Sequence, residues 1–328
     1  MSVLYVLTDG ASIRKRSDSL AIFDPDGNLL QEVELRQVNA LVAFSSVQVT
    51  TPALVELLEA GVDVAFLSHG GKLLAKLTSP TSGNILLRRK QFQAFCDPGV
   101  CLRWARAAIH AKLANQIAFL RYLAAKQEDP SPELSPLADQ IASWITPTLE
   151  AATRDVLRGI EGLCARFYWQ GFGQALRVDG LVFTGRRYHP ATDPVNATLS
   201  FAYTLLTNTI HHLLDATGLD PFLGFFHADE SGRPSLALDL LEPFRPAVVD
   251  RFVLRLFNQK VLKPDDFQTL ADGSVRLQPQ PRRRFLEQWE ATLDRAQIRQ
   301  ALAQQIEDLR HALTNSQDPP PFYRWSNE

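Results

Sequence analysis

The spacing of apolar residues changes once along this chain, near residue 80. Before that point apolar residues come in short aliphatic and β-branched runs: VLYVLT, SLAIF, LLQEVEL and VNALVAFSS, bounded by Gly, Asp, Asn or Ser. Such runs predict β-strands, and DPDGN (Asp24–Asn28) between two of them predicts a hairpin turn. DPDGN lacks the acidic spacing and closing glutamate of a calcium loop, so the turn is preferred. TPALVELLEAG predicts a short helix closed by Gly61; VDVAFLS and KLLAKLT predict two more strands, joined by HGGK. HGGK is too short to cradle a phosphate.

The stretch TSPTSGN at 78–84 breaks the pattern and predicts a linker. Beyond it the spacing becomes three and four. RRKQFQAF, LRWARAAIHAKLANQIAFLRYLAAK, LADQIASWI, LEAATRDVLRGIEGLCARFYWQGF and VNATLSFAYTLLTNTIHHLLDATG all predict helices. LEQWEATLDRAQIRQALAQQIEDLRHALTN predicts one long amphipathic helix or a pair. The expected architecture is α+β and multi-domain. A small β-rich domain (1–80) precedes a larger all-α catalytic domain (81–328). The proline-rich end, DPPPFYRWSNE, reads as a mobile tail whose aromatics could dock on a partner.

Composition narrows the setting. A chain of 328 residues is long for one core, in keeping with two domains. Hydrophobic residues at 45% and charged residues at 21% exclude wholesale disorder. No apolar run reaches the roughly 20 residues that span a bilayer, and MSVLYVLTDGAS lacks the features of a signal peptide. Cys96, Cys101 and Cys164 are odd in number and lack CxxC spacing, which favours free thiols and a cytoplasmic location. A net charge of -2 supplies no global positive field, so any DNA-binding surface must be local. Arg88–Arg89–Lys90, Arg186–Arg187 and Arg282–Arg283–Arg284 are the basic clusters, each equally readable as a solvated face.

Candidate chemistry comes from carboxylates set among leucines. In TRDVLRGIEGLCARFYW (153–169), Leu157, Glu161, Cys164 and Tyr168 recur at helical spacing and share a face. Gly159 and Gly162 flank Glu161, each costing about 1 kcal/mol in a helix interior. Close approach of another segment or a ligand would offset that cost. The alternative is a buried Glu161 paired to Arg154 or Arg158. The second stretch is LGFFHADESGRPSLALDLLEPFRPA (223–247). If LALDLLEPF is helical, Asp239 and Glu242 project from one side, and Pro243 ends or kinks the helix just after them. The loop HADESGRPS then returns His227 beside the pair, unless His227 is a capping or core histidine. With Glu161, three carboxylates and an imidazole would converge among apolar walls. Close anions need a cation between them, which a divalent metal supplies. Oxygen-rich ligation with one imidazole suits Mg²⁺ or Mn²⁺ better than zinc.

RGIEGLCARFYW, GRRYHPATDPVNATLSFAYTLL and GLDPFLGFFHADESGRPSLALDLLEPFRPAVVDRFV, in that order, resemble the CRISPR-associated endonuclease and integrase family Cas1 over nearly the whole chain. The resemblance implies that Glu161, His227 and Glu242 hold the divalent metal, with Asp239 supporting them as a further acidic catalytic position. It also implies that Asn196 lies near the site. Two departures stand out: Tyr188–His189 replaces a simpler proline-rich run after Arg186 and Arg187, and Pro243 replaces a frequent second acid.

The implied chemistry is adaptation: the 3′-hydroxyl of a short DNA fragment attacks a phosphodiester at the edge of a CRISPR repeat. The implied assembly is a homodimer, two of which flank a dimer of the companion protein Cas2 on double-stranded DNA. Arg88, Arg89, Lys90, Arg186, Arg187 and Asn196 are the candidate DNA contacts. Two other readings use the same residues: a stand-alone metal-dependent nuclease of branched DNA, and a non-catalytic DNA-binding scaffold.

Overall fold

Two four-stranded sheets build the N-terminal unit, Met1–Ser82. In the computed structural model the described residues are 2–326, apart from 45, 72, 79–83, 127–131, 179, 182, 188, 189, 229, 316 and 317. Most of the expected linker therefore lies outside them. The order is β1 (Ser2–Val6), β2 (Ser12–Arg16), β3 (Ser19–Phe23), β4 (Leu29–Glu34), β5 (Val38–Phe44), β6 (Gln48–Val49), α1 (Thr51–Glu59), β7 (Asp63–Leu67) and β8 (Leu73–Leu77). One sheet runs β1-β5-β7-β8, the other β4-β3-β2-β6. β3 and β4 form the hairpin around DPDGN, where the Asp24 carboxylate accepts from the Asn28 backbone (2.8 Å) and side chain (3.0 Å). β7 and β8 pair antiparallel around Gly70 and Gly71. β1 and β7 both pair parallel with β5, which needs crossover connections that strand-like runs alone do not reveal. Ile13, Leu20, Leu41, Leu57 and Val64 lie at the centre of the core.

The second unit, Gly83–Glu328, is helical. Its elements are α2 (Ile85–Phe95), α3 (Pro98–Lys126), α4 (Leu134–Ala142), α5 (Ile145–Glu150), α6 (Arg154–Ala175), α7 (Pro194–Thr217), α8 (Ser235–Leu241), a π-helical turn (Arg245–Asp250), α9 (Arg251–Asn258), β9 (Phe267–Thr269), β10 (Val275–Leu277), α10 (Pro279–Arg295) and α11 (Ile298–Asn315). The β9–β10 pair is a short antiparallel exception to the all-α expectation. Helix starts follow capping chemistry. Thr153 accepts from Val156 N at 3.2 Å to start α6, and Asp193 accepts from Asn196 N at 2.8 Å to start α7, with Pro194 next. Gly218 (φ 88°) closes α7 in the left-handed conformation. The C-terminal helical stretch is a pair, broken at Gln297 (φ 50°).

Helix α3 is the spine of this unit, packing on α4, α5, α6 and the π turn. Trp104, Ile109, Leu113, Phe119 and Leu120 are buried along it, and so are Lys112, Asn115 and Gln116. Against the expectation of a mobile tail, the described part of the proline-rich end, 318–326, docks its aromatics on this unit. Tyr323 stacks on Phe244 (4.3 Å, 8° between planes), and Trp325 meets Phe119 and Tyr122 edge-on. Asn115 receives Trp325 N at 3.0 Å and donates to Tyr323 O at 3.1 Å. Aromatic rings that pack beside a buried amide with hydrogen-bonding capacity left over find burial and hydrogen bonds at once, which fixes the tail. Among the described residues no helix is long and apolar enough to cross a membrane.

Candidate active site

Helix α8 forms as LALDLLEPF predicts, and it presents its two acids to different surroundings. Asp239 is fully buried. Its Oδ2 accepts from Phe225 N (2.7 Å) and Phe226 N (2.9 Å), and its Oδ1 from His227 N (3.0 Å). This closeness requires Gly224, since a Cβ there would lie 2.5 Å from Asp239 Oδ2 and 2.8 Å from the Ser235 carbonyl carbon. His227 Nδ1 also meets Asp239 Oδ1, at 2.5 Å. With the Nδ1 proton donated there, Nε2 presents its lone pair, 3.8 Å from Glu242 Oε1. Asp239 therefore orients His227.

Glu242, at the C-terminal cap of α8, is only 3% exposed. Arg245 Nε lies 3.1 Å from its Oε1, and Lys112 Nζ lies 2.6 Å from its Oε2. Oε2 nevertheless has no hydrogen-bond donor in good geometry. Burial works against the charge, but Arg245, Lys112 and His227 outweigh it and hold the carboxyl down at about 2. Pro243 follows, and its carbonyl accepts from Asn115 Nδ2 at 2.7 Å.

Glu161 lies at the border of the buried face of α6, beside buried Leu157, Ile160, Cys164 and Tyr168. Its partner is neither Arg154 nor Arg158 but Lys112, whose Nζ donates to Oε1. Arg158 instead bonds Asp155 (2.6 Å) and Phe226 O (3.0 Å). Gly159 and Gly162 are not explained by close packing, because a Cβ at either meets nothing within 4 Å. Burial lowers the Lys112 pKa, yet Glu161 and Glu242 more than reverse this, leaving it above the ordinary lysine value. Burial pushes the neighbouring Cys164 thiol up to about 12, so it is no nucleophile.

Of the three expected ligands, Glu161 and Glu242 meet at Lys112, and His227 Nε2 approaches Glu242 from its other oxygen. Among the described residues no three His, Cys, Asp or Glu side chains are already drawn together as a metal cage. The donor set still fits a hard divalent cation: two carboxylates, one imidazole Nε2, and a buried carboxylate oxygen without a hydrogen-bond donor.

Behind the site lies a buried polar network that the sequence reading did not include. Arg245 stacks over Tyr203 (4.6 Å), as does Arg186 (5.4 Å). The Tyr203 hydroxyl donates to Asp250, and the Tyr168 hydroxyl does so at 2.8 Å. Asn196 is fully buried and clamps the 185–187 loop. Its Oδ1 accepts from Arg186 Nη1 and Arg187 N, both at 2.9 Å, and its Nδ2 donates to Gly185 O at 3.0 Å. Tyr188 and His189 lie outside the described residues.

The basic clusters divide. Arg88 donates to Gly218 O (3.1 Å) and Lys90 to Thr314 O (2.7 Å), satisfying carbonyls at the ends of α7 and α11. Arg89 and Arg187 are exposed. Arg282 is buried and donates to Leu277 O, while Arg283 and Arg284 pair with Glu287 and Asp266.

Missed by sequence reasoning were Lys112, Arg245, Asn115 and Asp250. A signal existed for two of them: in AKLANQI, Lys112 and Asn115 fall three apart on an otherwise apolar face.

The class is thus a two-unit α+β protein, a β-rich unit followed by a helical unit that carries a buried acid–histidine cluster, and comparison with known proteins gives the family. The family model described as CRISPR associated protein Cas1 matches residues 4–291. A CRISPR-associated endonuclease Cas1 from Rhodospirillum rubrum is 37% identical over 298 residues, covering 88% of this chain and 86% of the relative. A casposase bound to its integration product superposes with a TM-score of 0.82 at 25% identity, covering 96% of this chain and 91% of that one. A chain of a Cas6-RT-Cas1–Cas2 complex shares the fold (TM-score 0.83, 24% identity), covering 100% of this chain and 36% of that one. This chain belongs to the Cas1 family.

Proposed function

We propose that the protein is the metal-dependent integrase and endonuclease of CRISPR adaptation, joining short DNA fragments to a CRISPR repeat. The observation that carries this is that Glu161 and Glu242 share the Lys112 ammonium while His227 Nε2 lies 3.8 Å from Glu242 Oε1, so the three side chains neighbour one another. Those three would hold a divalent ion, Mg²⁺ or Mn²⁺. When bound, it supplies Lewis-acid stabilisation of charge on the phosphodiester and eases ionisation of the attacking hydroxyl. Asp239 keeps the His227 lone pair outward, and Arg245 keeps Glu242 ionised. In the reaction the fragment's 3′-oxygen bonds to phosphorus as the bond to the repeat strand's 3′-oxygen breaks, and that oxygen takes up a proton. One phosphodiester replaces another, so no protein nucleophile is needed.

Phosphate contacts fall first to exposed Arg89 and Arg187. Arg88, Lys90, Arg186 and Asn196 act on DNA only if they exchange the partners they have here. The working assembly is a homodimer joined with Cas2 on double-stranded DNA in the cytoplasm. Two active sites held apart by that assembly can join both ends of one fragment.

The test is an integration assay with matching Cas2, a short duplex with free 3′-hydroxyls, a repeat-bearing supercoiled plasmid, and Mn²⁺ or EDTA. Joining should require metal and vanish in His227→Ala and Glu242→Ala. Cutting of branched DNA without joining would favour the repair nuclease, and DNA binding with neither would favour the scaffold.

A further inference from the structure

The cation now between Glu161 and Glu242 belongs to the protein itself. Lys112 is 8% exposed, and its Nζ reaches Glu161 Oε1 and lies 2.6 Å from Glu242 Oε2. Opposite charge holds the ammonium against the Glu242 carboxylate at that distance. A lysine ammonium is a compact point charge on a flexible stem, suited to leaving such a site where a planar guanidinium would be locked. A divalent ion bound by Glu161, Glu242 and His227 needs the carboxylate oxygens that the ammonium now occupies, so the two cations compete.

We propose that Lys112 is an exchangeable placeholder: its ammonium holds Glu161 and Glu242 together until a divalent metal takes them, and it then turns to a phosphate of bound DNA. This rests on the metal-dependent reading above. The second half follows from electrostatics, since a displaced ammonium in a largely buried pocket needs a new anion. The Glu161 side chain is 23% exposed and the Glu242 side chain 4%, so the pocket opens on the Glu161 side. A DNA phosphate is the anion that the proposed reaction brings there. Metal and DNA binding are therefore positively coupled through Lys112, and the coupling is reciprocal.

The test measures Mn²⁺ binding to the full-length protein by electron paramagnetic resonance. Wild type and Lys112→Met are compared, alone and with a short duplex ending in 3′-deoxynucleotides that cannot react. Without DNA, Lys112→Met should bind Mn²⁺ about tenfold tighter than wild type. DNA should tighten Mn²⁺ binding to wild type by about tenfold, and to the variant far less. Wild-type binding with equal or weaker binding by Lys112→Met overturns the placeholder and leaves the metal reading standing. No Mn²⁺ binding by either protein overturns both. Folding supplies a second readout, because Lys112→Met leaves two carboxylates facing each other. Its metal-free Tm should fall below wild type, and Mn²⁺ should raise it by more than it raises wild type. A variant that Mn²⁺ fails to rescue contradicts the proposal.

Discussion

Asp239 and Glu242 are three residues apart, nearly or fully buried, and both within the reach of His227, yet they are held in opposite ways. Asp239 is surrounded by directed donors: three backbone N–H groups and an imidazole. Glu242 is surrounded by charges, from Lys112, Arg245 and the edge of His227. Directed hydrogen bonds fix a geometry, whereas point charges fix only an ionisation state and can be exchanged for others. The first carboxylate is built as scaffold and the second as a site.

Isosteric changes at the two positions should break apart accordingly. Asp239→Asn replaces an acceptor with an amide donor among four donors, and should cost on the order of 3–5 kcal/mol. Glu242→Gln should cost on the order of 1–2 kcal/mol, because Lys112 keeps Glu161 and Arg245 keeps its stack on Tyr203. Urea unfolding midpoints, followed by tryptophan fluorescence, measure both. Equal losses would mean that Glu242 is as structural as Asp239.

Gly224→Ala attacks the scaffold side without removing a polar group. Its Cβ would press on the Asp239 carboxylate and on the backbone at Ser235 and Leu236, none of which is a flexible chain end. A loss of about 1–3 kcal/mol is expected, together with reduced joining as His227 shifts. Full joining activity in this variant would show that the latch does not set the His227 position.

Much of this contrast was legible in the chain and some was not. The helical period of LALDLLEPF put both acids on a buried segment, and RGIEGLCARFYW put Glu161 beside an apolar stripe. What periodicity could not supply was the partner. It offered a metal or, as the alternative, Arg154 or Arg158 on the same helix, whereas the side chain that Glu161 meets projects from α3, 49 residues earlier. Likewise the strand runs of the first 80 residues announced strands but not the parallel pairing of β1, β5 and β7. Long-range pairing depends on which buried faces meet, and neither local propensity nor run length encodes that. The tail misled for the same reason. Three prolines and a polar end resemble a disordered terminus, while the amide that anchors it lies on α3.

A third buried acid sharpens the comparison through pH. Burial raises the Asp250 carboxyl to about 6, despite hydrogen bonds from Tyr203 and Tyr168 and the nearby charges of Arg245 and Arg186. Its folded pKa exceeds its unfolded one, so its contribution to stability is full below about pH 4. That contribution is lost as pH rises through about 6. Asp250→Asn should therefore flatten the fall in Tm between pH 4 and 6 and leave the stability at low pH nearly unchanged. A Tm profile identical to wild type would place the Asp250 proton elsewhere in the network.

The smallest effect tests how far the scaffold extends. Asn115 donates to Pro243 O, directly beside Glu242, and also to Tyr323 O, while the Tyr323 ring stacks on Phe244. The tail thus closes over the turn that carries Glu242. Tyr323→Ala removes one stacked ring at a partly buried position, worth about 0.5–1.5 kcal/mol beyond its buried area. A loss of that order in the unfolding midpoint is expected. If the tail only covers apolar surface, Tyr323→Ala and Phe322→Ala should lower stability alike and leave joining rates unchanged. If it also braces the Pro243 turn, Tyr323→Ala alone should slow joining at saturating metal, because Glu242 then samples positions from which it meets neither Arg245 nor the incoming cation. Directed contacts three residues from Glu242 hold His227, and directed contacts one residue from it hold Pro243. A point-charge site can be exchangeable only while both neighbours stay fixed.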